Sequence, residues 1–231
     1  MQPLPVESQI ESSENPEDEI PARSLDPKDL QSLKDDPDKT LSKMFSERRE
    51  AFWSLVAFRM DPRLLQRLDP EDILQEAFIS AKKRVHHLIA SPQYTLFQWM
   101  RMIVVQTLFD VHRRHLGVNM RDAGREVKLG GGNAGYYDST CHSLAQQIAA
   151  SQTSPTGAVV RDEALAAMEA LVGQLSDQDQ EIIAMRHFEN LSNIQVAELL
   201  GLSLTGASNR YVRALARLRD QLESHGVGLP K

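Results

Sequence analysis

Apolar residues recur every three or four positions along most of the chain, and they do not alternate over any useful length. In DPEDILQEAFISAKKR, the stripe is Ile73, Leu74, Ala77, Phe78 and Ala81. That spacing puts them on one face of an α-helix. Asp69 suits the N-cap, and Pro70 suits the first helical position, where no partner needs its missing N–H. In TLFQWMRMIVVQTLFDVHRRH, Met100, Ile103, Val104, Leu108 and Val111 form one face, with Gln106, Asp110, Arg113 and Arg114 on or near another. The intervening HLIASPQYT is broken by Pro92. Helical periodicity returns over 161–225, where Ser176 can cap a helix containing Ile182, Ile183 and Met185. The pattern predicts an all-α fold.

Composition divides the 231 residues further. Residues 1–40 are rich in Pro, Glu, Asp and Ser and lack aromatics. Such a segment buries too little apolar surface to offset its ordering entropy, so a disordered acidic leader is expected, with a short helix near Leu30. Residues 118–160 include Gly130, Gly131 and Gly132 in a row and then SQTSPTG, the composition of a flexible linker. The expected organisation is a leader (1–40), a helical domain (41–117), a linker (118–160) and a second helical domain (161–225).

The formal net charge is −6, but the first forty residues carry −7 and the remainder +1. Local patches therefore matter more than the total. The acidic leader reads either as a solubilising tail without a partner or as a competitor with nucleic acid for Arg101, Arg113, Arg114 and the Lys82-Lys83-Arg84 cluster. The start has no basic n-region followed by an apolar core, and no apolar run approaches the ~18 residues of a membrane helix, so a cytoplasmic protein without membrane insertion is expected. Cys141 is the only cysteine. That excludes an internal disulfide and a thiolate zinc cluster.

The C-terminal stretch LSNIQVAELLGLSLTGASNRYVRALARLR carries the sharpest motif. Ser192 and Gln195 have capping-box spacing. Val196, Leu199 and Leu200 give a short helix its inner face, and the small Ala197 allows close helix approach. Gly201 stands where a helix ends in the left-handed conformation. Leu202 plugs the turn and Ser203 caps the next helix. On that helix Ala207, Tyr211, Ala214, Leu215 and Leu218 face inward, while Arg210, Arg213 and Arg217 project away. Cap, glycine, plug and cap in register give the helix-turn-helix spacing, whose second helix enters the major groove of DNA.

Two blocks of this sequence resemble bacterial sigma factors of the extracytoplasmic-function type. LSDQDQEIIAMRHFENLSNIQVAELLGLSLTGASNRYVRALARLR is similar to the family's fourth conserved region, which binds the −35 promoter element. DPEDILQEAFISAKKR with FQWMRMIVVQTLFDVHRRH is similar to its second region, which binds core RNA polymerase and melts the −10 element. The form SNRYVRALARLR resembles planctomycete-like members. By position, the resemblance implies polymerase contacts at Asp72, Gln75 and Glu76. It implies −10 contacts at Trp99, Arg101, Gln106, Asp110, Arg113 and Arg114, and capture of a flipped base near Ser91–Thr95. It implies −35 contacts at Arg186, Ser208, Asn209, Arg210, Val212 and Arg213. The implied partners are core RNA polymerase, promoter DNA and an anti-sigma protein; no cofactor or metal is implied. Gln106 stands where the family often has asparagine, and Gly206 in the first turn of the second helix lowers helix propensity.

Other chemistry finds little support. Asp72 and Glu76 lie one helical turn apart, but no histidine or nucleophile pattern accompanies them, and no enzyme activity is expected. His86, His87, His112 and His115 do not make a convincing ligand set. The glycine run lacks the spacing of a phosphate-binding loop. Trp99 reads equally as a core residue and as a base-stacking platform. A conventional helix-turn-helix repressor or activator is the alternative, but it requires a dimer seam, and no long apolar heptad is present.

Overall fold

The computed structural model describes residues 24–65, 67–116, 134–152 and 158–225. Among them every regular element is helical. The helices are α1 (Pro27–Asp35), α2 (Pro37–Glu47), α3 (Arg49–Arg59), α4 (Pro62–Leu65), α5 (Pro70–Ala90), α6 (Leu96–Leu116), α7 (Ala134–Gln152), α8 (Ala158–Val172), α9 (Asp177–Ile183), α10 (Asn193–Leu200) and α11 (Leu204–Ser224). A wide π turn, Ala184–Phe188, continues α9. No helix is long and apolar enough to cross a membrane, among the described residues.

The Asp-Pro dipeptides punctuate the N-terminal half. Asp26, Asp36 and Asp69 cap α1, α2 and α5, each with proline next. Asp61 accepts from the backbone N–H of Arg63 at the start of α4, at 2.8 Å. In each case the aspartate satisfies an orphan N–H and the proline fixes a helical φ where no donor is needed.

The structure departs from the expected boundary at residue 40. Residues 1–23 lie outside the described residues, but 24–40 hold all of α1 and the start of α2. The helix expected near Leu30 exists, and it is docked. Leu25, Leu33 and Leu41 are buried. Burying each leucine contributes about 1.5–3 kcal/mol, which offsets the ordering cost that composition alone implied. Thr40 ties the two helices by donating to the carbonyl of Ser32 at 3.0 Å. The expected linker also contains structure: α7 occupies 134–152 and packs on α8. The glycine run at 130–132 lies outside the described residues.

Helices α5 and α6 form the centre of the N-terminal unit, with α3 across them. Ile73, Leu74, Ala77 and Ala81 of α5 face Met100, Ile103, Val104, Leu108 and Val111 of α6, all buried. Phe45, Phe52, Phe78 and Phe97 add an aromatic cluster with centroids 5.0–5.6 Å apart. The C-terminal unit packs α11 on α9 and α10.

Candidate nucleic-acid interface

The C-terminal motif is built as its spacing predicts. Ser192 and Gln195 form a reciprocal capping box. Gly201 ends α10 at φ 61°, ψ 46°, a conformation that costs a residue with a Cβ. The N–H of Leu202 returns to the carbonyl of Ala197 at 2.9 Å, closing the turn. Ser203 then accepts from the N–H of Gly206 at 3.0 Å. A Cβ on Gly206 would stand 3.0 Å from that same hydroxyl. The glycine that lowers helix propensity thus leaves room for the cap.

One face of α11 is open. Ser208, Asn209, Val212 and Arg213 are exposed, Val212 to 64%. Arg213 folds back only on its own helix, with Nε donating to the carbonyl of Asn209 at 3.2 Å. Arg210 is placed differently. It lies 3.4 Å from the buried carboxylate of Asp179, which also pairs with Arg217. Arg186, in the π turn, donates to the carbonyl of Leu191 at 2.8 Å and lies over the Tyr211 ring at 5.4 Å. Arg186, Arg210 and Arg217 are positioned by contacts with neighbouring elements, whereas Arg213 is exposed and leans on its own helix.

In the N-terminal unit Asp72, Gln75 and Glu76 share one exposed side of α5. Asp72 also completes the capping box of that helix. Glu76 accepts two hydrogen bonds from Arg114, at 2.6 and 2.8 Å. This pairing raises the pKa of the Arg114 guanidinium. Arg113 pairs with Asp110 at 2.6 Å, and Gln106 accepts from Arg84 at 2.7 Å. The polar edge of α6 therefore meets α5 through the Arg114–Glu76 ion pair and the Gln106–Arg84 contact, and Arg113 and Arg114 remain exposed.

Two residues assigned to a DNA-facing surface do not face solvent. Trp99 is 3% exposed and belongs to the core. It follows the apolar stripe because it precedes Met100 and Ile103 on a helix buried over most of its circumference. Arg101 is 6% exposed, and the reason is electrostatic. Its guanidinium meets Glu181 at 3.2 Å and Glu189 at 2.7 Å. Arg59, at the end of α3, joins the same two carboxylates at 2.8 and 2.6 Å. Thr140 of α7 accepts from Arg59 and donates to Glu181. The arrangement is a buried network of two arginines, two glutamates and a hydroxyl. Burial of charge is tolerated only when it is paired in this way.

Sequence reasoning missed Arg59, Thr140, Asp179, Glu181 and Glu189. A signal was present: Arg59 ends the run AFWSLVAFR and Arg101 interrupts WMRMIVV. An arginine inside an apolar helix needs a buried acidic partner.

The network spans the two units, and so do smaller contacts. Thr95, in the loop before α6, hydrogen-bonds to Glu198 of α10. Gln98 donates to the carbonyl of Glu198 at 2.7 Å. Phe58 stacks on Phe188 with centroids 4.7 Å apart.

This C-terminal architecture, with its exposed α11 face, invites comparison with known DNA-binding units. Residues 165–218 match Sigma-70, region 4. Beyond that region 4 match, the chain is 28% identical to the ECF RNA polymerase sigma factor SigW of Bacillus subtilis (strain 168) over 154 residues, 67% of this chain and 75% of that protein. It is 34% identical to the RNA polymerase sigma factor SigF of Mycobacterium tuberculosis (strain ATCC 25618 / H37Rv) over 56 residues, 24% of this chain. That match spans only 22% of SigF. No solved structure matches the chain. The region 4 segment begins within α8 and ends within α11.

Proposed function

We propose that this protein is a sigma factor of the extracytoplasmic-function type, which binds core RNA polymerase and directs it to promoters. The observation that carries the reading is the region 4 match over a helix-turn-helix whose outer α11 face is open. On this reading Arg213, with Ser208, Asn209 and Val212, contacts the −35 duplex in the major groove, where arginine suits guanine edges. Arg210 and Arg186 support that helix and its approach to phosphates.

The N-terminal unit binds the polymerase through Asp72, Gln75 and Glu76. It holds the −10 strand after melting through the 91–95 loop and the Gln106–Arg114 edge. The similarity to SigW supports this assignment, because it extends well beyond the region 4 segment. The protein acts in the cytoplasm without catalysis of its own. Its SNRYVRALARLR recognition helix supports a planctomycete-like subfamily.

Reconstitution tests the reading. The full chain should co-elute with core RNA polymerase and confer transcription from promoters selected out of a random library. A chain that neither binds the core enzyme nor changes its start sites overturns the proposal.

A further inference from the structure

We propose that Val212 reads the 5-methyl group of one thymine in the duplex that α11 enters, so that the protein selects an A·T pair with thymine at that place. This rests on the sigma-factor reading and names the base that the same site chooses.

Thr205, Asn209, Val212 and Ala216 recur at three- and four-residue steps along α11, and all of them are exposed. That spacing makes them the outermost ridge of the helix, on the side away from the buried Ala207, Ala214 and Leu218. Ser208 flanks the ridge on one side and Arg213 on the other, both exposed. Every side chain of the ridge is short and uncharged, so the helix axis can come close to the floor of a groove. Thr205 and Val212 are about 10 Å apart along the axis, at roughly 1.5 Å per residue. The major groove is about 12 Å wide. Val212 therefore lies within the groove when the first turn of α11 does, and Ala216 reaches its far rim.

A single exposed aliphatic residue is ordinary on a protein surface. Val212 is set apart by where it stands. It is 64% exposed and lies outside the apolar seam that holds α11 in place. A β-branched side chain also lowers helix propensity. Neither packing nor helix formation accounts for a valine there. Its neighbours Ser208, Asn209 and Arg213 all carry hydrogen-bonding groups, and valine carries none.

The chemistry of the groove then chooses the base. Thymine alone presents an apolar group, its C5 methyl, on the major-groove edge. Against cytosine, adenine or guanine, valine would cover a donor or acceptor without replacing its hydrogen bond to water, which costs affinity. Val212 thus selects in two ways: contact with the methyl group favours thymine, and an unpaired polar edge disfavours the other bases.

The test uses the full chain loaded on core RNA polymerase. A −35 element is selected from a random duplex library, and each thymine of that element is then replaced singly by uracil, which lacks only the methyl group. One replacement should weaken binding about fourfold, the worth of one buried methyl group. Exchanging the same pair for C·G should weaken it by about tenfold or more. In Val212→Ala the uracil penalty at that position should fall below about twofold, because the two changes remove the same contact. The melting temperature of this variant should hold, since the side chain is exposed. Val212→Ile keeps a branched aliphatic group and should keep the uracil penalty. Arg213→Ala should bind more weakly overall and also keep it.

A selected element without thymine overturns the proposal. So do uracil replacements that all bind as tightly as thymine, or a penalty that is equal in the wild type and Val212→Ala. If the chain does not load onto core polymerase, the sigma-factor reading falls, and the same selection and uracil scan with the chain alone judges Val212. If the chain alone selects no sequence, both fall.

Discussion

The Nη2 of Arg101 donates to both carboxylate oxygens of Glu189, at 2.9 and 2.7 Å, across the boundary between the two helical units. Both side chains are buried, so this pair differs from the surface ion pairs elsewhere in the chain. Arg59 still contacts Glu189 and Glu181 still contacts Arg101 when one partner is removed, but the network is left with an unbalanced buried charge, at a cost of about 3–5 kcal/mol. Arg101→Ala and Glu189→Ala should each lower stability by that order. Their combination should cost clearly less than the sum, with a coupling above about 1 kcal/mol in a double-mutant cycle measured by urea unfolding.

Glu76 faces solvent but engages Arg114 of α6. Exposed pairs of this kind contribute about 0–1 kcal/mol. Glu76→Lys should therefore leave the melting temperature nearly unchanged while weakening co-elution with core polymerase. Arg114→Ala serves as the control for loss of the pair alone, and should retain polymerase binding. Normal co-elution of Glu76→Lys would remove Glu76 from the polymerase-binding face.

The arginines of α11 should separate by role. Arg213→Ala should relax selection at one base position at a cost of ~1–3 kcal/mol in DNA affinity and leave stability within about 0.5 kcal/mol. Arg210 stands over the buried Asp179, so Arg210→Ala should lower stability as well as affinity. Asp179→Ala leaves two guanidiniums without their shared carboxylate. Since both can turn towards water, the loss should be on the order of 1–3 kcal/mol. Selection from a random duplex library, together with thermal unfolding, measures both effects.

His112 makes stability depend on acidity. Its Nε2 accepts from the N–H of Asp61 at 3.3 Å, and burial lowers its pKa from 6.5 to about 4. The unfolded chain binds the proton first, so this contribution is complete above the unfolded value near 6.5. It is lost as pH falls from there towards about 4. The largest loss is about 3 kcal/mol, by the usual free energy of a pKa difference. Unfolding between pH 7 and 4.5 should show the decline, and His112→Gln should flatten it. A wild type whose stability does not change over that range would contradict the buried neutral imidazole.

The N-terminal helices provide another check. Leu33→Ala and Leu41→Ala should each destabilise the protein by about 2–5 kcal/mol, because both side chains are fully buried. A leader that contributes only charge would tolerate either change.

The helix-turn-helix was legible because its signals are local. Ser192, Gln195, Gly201 and Ser203 act within a few residues of one another, and each took the expected position. The α5 and α6 stripes were legible for the same reason. The helices at 27–47 were obscured by average composition, although Asp26-Pro27 and Asp36-Pro37 mark two starts as plainly as Asp69-Pro70 marks a third. The acids expected to cover the basic edge were those of the leader. Asp38 does reach Lys82 at 2.9 Å, but Arg101 is held by Glu181 and Glu189, eighty or more residues away. No sequence period encodes a partner at that separation. The misplacement of Arg101 at an open groove follows from this, since its side of α6 was judged without knowing what packs on it.

The exposed row on α11 has a consequence for how the protein can diverge. Ser208 and Asn209 make no side-chain hydrogen bond among the described residues, Val212 is largely in solvent, and Arg213 leans only on its own helix. Asp179, Tyr211 and the Ala207–Ala214–Leu218 seam hold the helix in place without them. The letters proposed to read DNA are thus separate from the mortar that holds the wall. A duplicated copy could exchange all four, acquire a new set of target genes, and fold as readily as its parent.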